Sequence, residues 1–205
     1  MGTDNSPQDW LLLLIQLPST PSSVRVALWR RLRAAGATTM VNSAWLLPCT
    51  VPHAELFEQL RQNIIRQRGT GFVLNVPSLP PEATETVVQL FRADRAREYD
   101  EFAERCSALL EEISKETRAE KYTFAEMEES EQDLEKLTRW LAKIQARDFF
   151  PDERGQQAAV LIAHCRSALD SFSQAVYIAE GVQEATDGEA WNTAPREDAE
   201  ANDAD

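Results

Sequence analysis

The sequence predicts an α+β protein, a ferredoxin-like βαββαβ unit packed against a helical second unit. Three observations carry that expectation. Short apolar runs alternate with two helix-spaced segments between Trp10 and Leu79. The apolar period changes near Pro80–Pro81. From there to Val176 apolar residues recur three and four apart.

The elements follow in order. Trp10–Ile15 is an unbroken apolar run, with Pro18 soon after it, and it has a strand's length. A strand apolar on both faces needs cover on both. Thr20 offers an N-cap oxygen, and Pro21 suits the first helical position. Val24, Leu28, Leu32 and Ala35 form one helical stripe. Gly36 can take the left-handed conformation that ends the helix. Thr38–Val41 and Ala44–Leu47 flank Asn42-Ser43, a hairpin turn. Pro52 opens a second helix with Leu56, Phe57, Leu60 and Ile64 inward. Arg66 and Arg68 sit in its last turn, where the dipole favours cations, and Gly69 closes it. Phe72–Val76 is a strand stopped by Pro77. Right-handed crossovers then place both helices on one face of an antiparallel sheet. The second unit is expected to cover the other face.

In that unit Val87, Leu90, Phe91, Phe102, Cys106, Leu109, Leu110 and Ile113 keep helical spacing, interrupted by the charged stretch Asp94–Glu98. A polar break is expected between Glu116 and Phe124. Leu134, Leu137, Leu141 and Ile144 follow in heptad fashion. Phe149-Phe150-Pro151 ends that helix, because the residue before proline disfavours α. Ala158, Leu161, Ile162, Cys165, Leu169, Phe172 and Val176 mark a last helix. The expected division is a disordered N-terminus at 1–9, the ferredoxin-like unit at 10–79, the helical unit at 80–180 and an acidic tail at 181–205. That tail holds eight acids and one base, so it is expected to be disordered.

The formal net charge of −13 is uneven. Residues 1–95 carry nine arginines against seven acids, and the excess of acid lies beyond them. An acidic total therefore does not exclude phosphate as a partner of the first half. No signal peptide is visible, and no apolar run has the length of a membrane span. Three widely spaced cysteines do not make a disulfide framework. A reducing cytoplasm and no membrane partner fit these features.

Candidate chemistry centres on the first helix. Arg25, Trp29 and Arg33 share a face, with Arg30 beside Arg33, and Arg31 is a further arginine of the same helix. Planar guanidinium donors suit phosphate or another oxyanion. A solvated outer face, with Trp29 on an arginine stem, accounts for the same residues. Glu126, Glu129 and Asp133 share a helix face without a partnering histidine, and a solvated face again suffices. Cys49 with His53, and His164 with Cys165, match no zinc spacing. Nucleotide-binding, metalloprotease and serine-hydrolase motifs are absent. The expectation is a non-enzyme without metal or cofactor.

Four pieces resemble the ChrB family: LPSTPSSVRVALWRRLRAAGA, SAWLLP, KYTFAEMEESEQDLEKLTRWL at 121–141 and KIQARDFF at 143–150. The first is similar, more loosely, to the central domain of PaaX-type repressors, itself akin to a CRISPR adaptation subunit. The resemblance implies a cytoplasmic bacterial regulator or accessory protein of chromate resistance. It implies operator DNA, or chromate or a related oxyanion, as partner. Arg25, Arg30, Arg31 and Arg33 are the candidate contacts, and Arg147 in KIQARDFF is a second. Family members often carry a further C-terminal domain, so a separate protein supplying it is an expected partner. Two other functions stay open. One is a protein–protein module acting through the Leu134–Ile144 stripe. The other is a metal-dependent nuclease, which needs an acid at the end of the first strand where this chain has Gln16.

Overall fold

The computed structural model describes residues 9–18 and 22–181. The expected cap at Thr20–Pro21, the first eight residues and the tail beyond Gly181 lie outside them. The elements are β1 (Asp9–Gln16), α1 (Ser22–Ala34), β2 (Thr38–Val41), β3 (Ala44–Pro48), α2 (Val51–Arg66) and β4 (Thr70–Pro77). Then come α3 (Pro81–Arg118), α4 (Phe124–Gln145) and α5 (Glu153–Ala179). The α+β class holds. The four strands form one antiparallel sheet in the order β2-β3-β1-β4, the ferredoxin-like arrangement.

Pleat alternation sorts β1 into two faces. Leu11 and Leu13 point toward α1 and α2, where they pack with Leu28, Leu32, Trp45, Phe57, Leu60 and Ile64. Trp10 and Leu12 point the other way. There Trp10 and Leu46 meet Val87, Val88 and Phe91 of α3, with Phe150 from the loop after α4. Trp10 is fully buried, and its ring lies 6.0 Å from Phe91 and 5.9 Å from Phe150. The second unit thus covers the opposite face, as the doubly apolar strand required.

Local chemistry sets the ends. Gly36 has φ +79, the left-handed conformation expected of it. Thr50 caps α2 by accepting from the His53 amide, with Pro52 in the first turn. Gly69 serves differently from expectation. The left-handed residue after α2 is Arg68, with φ 59. Gly69 instead permits close approach, because a Cβ there would lie 2.7 Å from the Gln16 carbonyl oxygen.

The largest departure is α3. It runs 38 residues without interruption, straight through Asp94–Glu98. These charges look like a break in the sequence, yet Asp94 and Arg95 are buried. Asp94 takes partners from α1 and β2, and Arg95 lies against Glu98 one turn along the same helix. The break before Phe124 is present, between Arg118 and Phe124. Beyond the charges, Phe102, Cys106, Leu109 and Ile113 pack with α4 and α5 into a separate three-helix core. Leu134, Leu137, Leu141 and Ile144 all lie inside it. That burial removes the motive for a protein–protein module acting through this stripe.

Candidate functional site

The arginines of α1 divide by where they point. Arg25, Arg30 and Arg31 stand on its exposed side. Arg25 and Arg30 line a cleft of about 810 Å³, together with Gln16, Asn42, Ser43 and the apolar flanks of Leu28, Trp29 and Trp45. Arg31 reaches toward α2, with Nη2 3.5 Å from Gln59 Oε1. Trp29 is 53% exposed, and the Arg33 guanidinium sits 5.9 Å from its ring centre.

Arg33 turns inward. Its Nη1 donates to Asp94 Oδ2 at 2.8 Å, and the Thr38 hydroxyl donates to the same oxygen at 3.1 Å. Arg97 Nη2 donates to Asp94 Oδ1 at 3.0 Å. One carboxylate of α3 thus collects donors from the end of α1, the start of β2 and its own helix. It is 7% exposed, so its charge is satisfied by protein rather than by water.

A second pair lies beside it. Arg147 Nη2 donates to Glu98 Oε2 at 2.6 Å, and its Nη1 to the Arg33 carbonyl at 3.4 Å. Arg95 Nη2 lies 3.1 Å from the other Glu98 oxygen. Burial works against the Arg95 charge, and the nearby Glu98 carboxylate supports it. Tyr99 donates to Asp148 Oδ2 at 2.9 Å. Burial pushes that phenol well above its ordinary range, with the Asp148 carboxylate adding to the effect. Burial also raises the Asp148 carboxyl, against the lowering pull of the Tyr99 hydroxyl.

This network joins the two units. Gly36 belongs to it sterically, since a Cβ there would lie 2.9 Å from Arg147 Cβ. Of the sequence-derived contacts, Arg25, Arg30 and Arg31 share the outer surface of α1. Arg33 and Arg147 come together in the junction behind it, engaged with Asp94 and Glu98. Asp94, Arg95, Glu98 and Tyr99 were not singled out from the sequence. Their signal was the interruption itself: charges at positions where the α3 stripe demands buried residues.

Elsewhere, Glu128, Glu129, Glu131 and Glu135 of α4 are exposed, and Asp133 pairs with Lys136 at 2.7 Å. Among the described residues no group of three His, Cys, Asp or Glu side chains could hold a metal ion. Cys106 and Cys165 are buried in the helical core, and burial pushes the Cys106 thiol up to about 12. His53 Nδ1 is 2.8 Å from the Pro48 carbonyl oxygen. No described helix is long and apolar enough to cross a membrane.

Fold and junction together define a class: a ferredoxin-like α+β unit locked by buried charges to a three-helix bundle, with an arginine-bearing helix on the sheet. The chain belongs to the family described as "Protein ChrB, N-terminal", whose model matches residues 25–183. It is 28% identical over 167 residues to Protein ChrB of Cupriavidus metallidurans (strain ATCC 43123 / DSM 2839 / NBRC 102507 / CH34). That match covers 81% of this chain and 48% of the relative, so the chain spans about half the length of the curated protein.

Proposed function

We propose that this chain is a non-catalytic, cytoplasmic regulator or accessory protein of bacterial chromate resistance. In this reading the α1 face binds an oxyanion group, either DNA phosphate or a free chromate-like anion. Family membership and the sequence resemblance support the biological setting. The observation that carries the site is the outward presentation of Arg25, Arg30 and Arg31 on one helix, two of them beside a cleft. Guanidinium forks match tetrahedral oxyanions and phosphate oxygens with paired donors. Arg33 and Arg147 contribute only by exchanging Asp94 and Glu98 for the ligand. The remaining half of the relative's length leaves room for a further domain or a separate partner protein in the working assembly.

Titration with an operator fragment and with chromate, at several salt concentrations, tests this. DNA binding through the face should fall with a log–log slope of about 0.9 per phosphate neutralised. A single oxyanion site should respond less to salt and be competed by sulfate. Arg30→Ala with Arg31→Ala should weaken either ligand by about 1.5–3 kcal/mol per lost charge-assisted bond, without changing the melting temperature. Binding of neither ligand at low salt, or full binding by the double variant, would remove the assignment.

A further inference from the structure

The two edges of the sheet are protected unequally. β2 is four residues long and carries a register irregularity between Thr39 and Val41. Shortness and a bulge are ordinary defences against edge pairing. β4 has neither. It is eight residues long and pairs regularly with β1 from Asp9↔Pro77 to Gln16↔Thr70. Its sequence, TGFVLNVP, holds no charged residue. A long, uncharged, apolar edge is a template for another strand.

The side chains around that edge point the same way. Phe72 and Leu74 are 58% and 44% exposed. They lie opposite Leu14 and Leu12, on the sheet face that α3 covers around Trp10 and Leu46 and, in part, around Leu12 and Val76. On the other face, α2 lies over β4, with Arg61 Cγ 3.3 Å from where a Gly71 Cβ would sit. Ile65, one turn beyond Arg61 on that flank, is 49% exposed. Glu58 and Arg61 pair there at 2.6 Å.

We infer that the β4 edge is a homodimer interface, in which β4 pairs antiparallel with β4 of a second copy about a two-fold axis perpendicular to the sheet. The occupant is a second copy because the surface is self-complementary. An antiparallel edge offers the same alternation of N–H and C=O to its own image. An uncharged strand meets its image without repulsion. Phe72 and Leu74 would pack on their counterparts, and Ile65 would meet its mate between the two α2 helices. Each Glu58/Arg61 pair presents one charge of each sign, so two pairs can cross-match. Such an axis keeps all helices of the α1–α2 layer on one side of an eight-stranded sheet. It therefore places two copies of the arginine face on the same side. The inference stands on the edge alone and does not depend on what α1 binds.

Sedimentation of the full chain over a dilution series tests it. The expected result is a concentration-dependent shift from 23.1 kDa toward twice that mass. Phe72→Lys with Leu74→Lys puts like charges across the axis. It should raise the dimer dissociation constant by at least about a hundredfold. Circular dichroism should stay the same, because both residues are exposed. A second arm covers the case where that variant misfolds. Phe72→Cys and Leu74→Cys, each with Cys49→Ser, are oxidised singly and mixed. Covalent dimers in at least one combination are expected. A monomer at every concentration, a dimer indifferent to the lysines, or no cross-link in any combination would overturn the inference.

Discussion

Two stretches of α3 are held by different physics. From Phe102 to Ile113 the helix buries an apolar stripe against α4 and α5. From Asp94 to Glu98 it buries charges against α1, β2 and the loop after α4. Apolar burial is strong but indifferent to direction. Charge pairs add little net stability once desolvation is counted, yet they tolerate few geometries. The bundle therefore supplies stability, while the junction fixes how the sheet sits on the helix that covers it.

Three measurements would break or sharpen that contrast. Phe102 is fully buried, with its ring edge-on to Trp140 at 5.8 Å. Phe102→Ala should cost about 3–5 kcal/mol in denaturant unfolding. A cost under about 1 kcal/mol would show that the bundle core is not what holds the second unit.

Asp94→Ala should cost somewhat less, about 2–4 kcal/mol, because Arg33 and Arg97 can turn to water once their partner is gone. The sharper test joins Asp94→Leu to Arg33→Met. Removing both charges leaves no buried charge unpaired, since exposed Arg97 turns to water and Thr38 loses its acceptor in either variant, so the double variant should be more stable than Asp94→Ala. If it is less stable, the junction supplies net stability of its own and the contrast fails.

The smallest expected effect is at the α3–α4 turn. Glu116 is 4% exposed and lies 3.1 Å from Lys121 and 3.2 Å from Lys115. The Lys121 ammonium, ion-paired with it, holds its carboxyl below the usual range. A depressed carboxyl stabilises the fold above the unfolded value, near 4.5, and loses that contribution as pH falls through the folded value. Glu116→Gln should therefore lower the melting temperature slightly at pH 7. The gap should close as pH drops below about 4.5. A gap that persists at pH 3 would mean that the side chain acts through packing rather than charge.

Much of the fold was legible because local rules governed it. Proline and glycine punctuated the strands and α2, and the doubly apolar β1 announced its second cover. The continuity of α3 was not legible. Period arguments count apolar residues, and the charges of Asp94 and Glu98 are met by partners distant in sequence, while buried Arg95 lies against Glu98 of its own helix. Arg33 reaches Asp94 across 61 positions, and Arg147 reaches the Arg33 carbonyl across 114. The basic surface of α1 could be named from spacing alone. Which arginine turns inward could not, because that depends on where the folded chain sets a carboxylate.

The helix that lids the sheet is also the first helix of the bundle. At 38 residues it is about 57 Å long, a single rigid strut through both cores. No slack peptide separates one core from the other along that strut. A protease seeking a seam between them must cut a folded helix, and an engineer trimming the chain at Pro80 would bare Trp10 and Leu46 to water. The two units should therefore protect their amides together and melt as one.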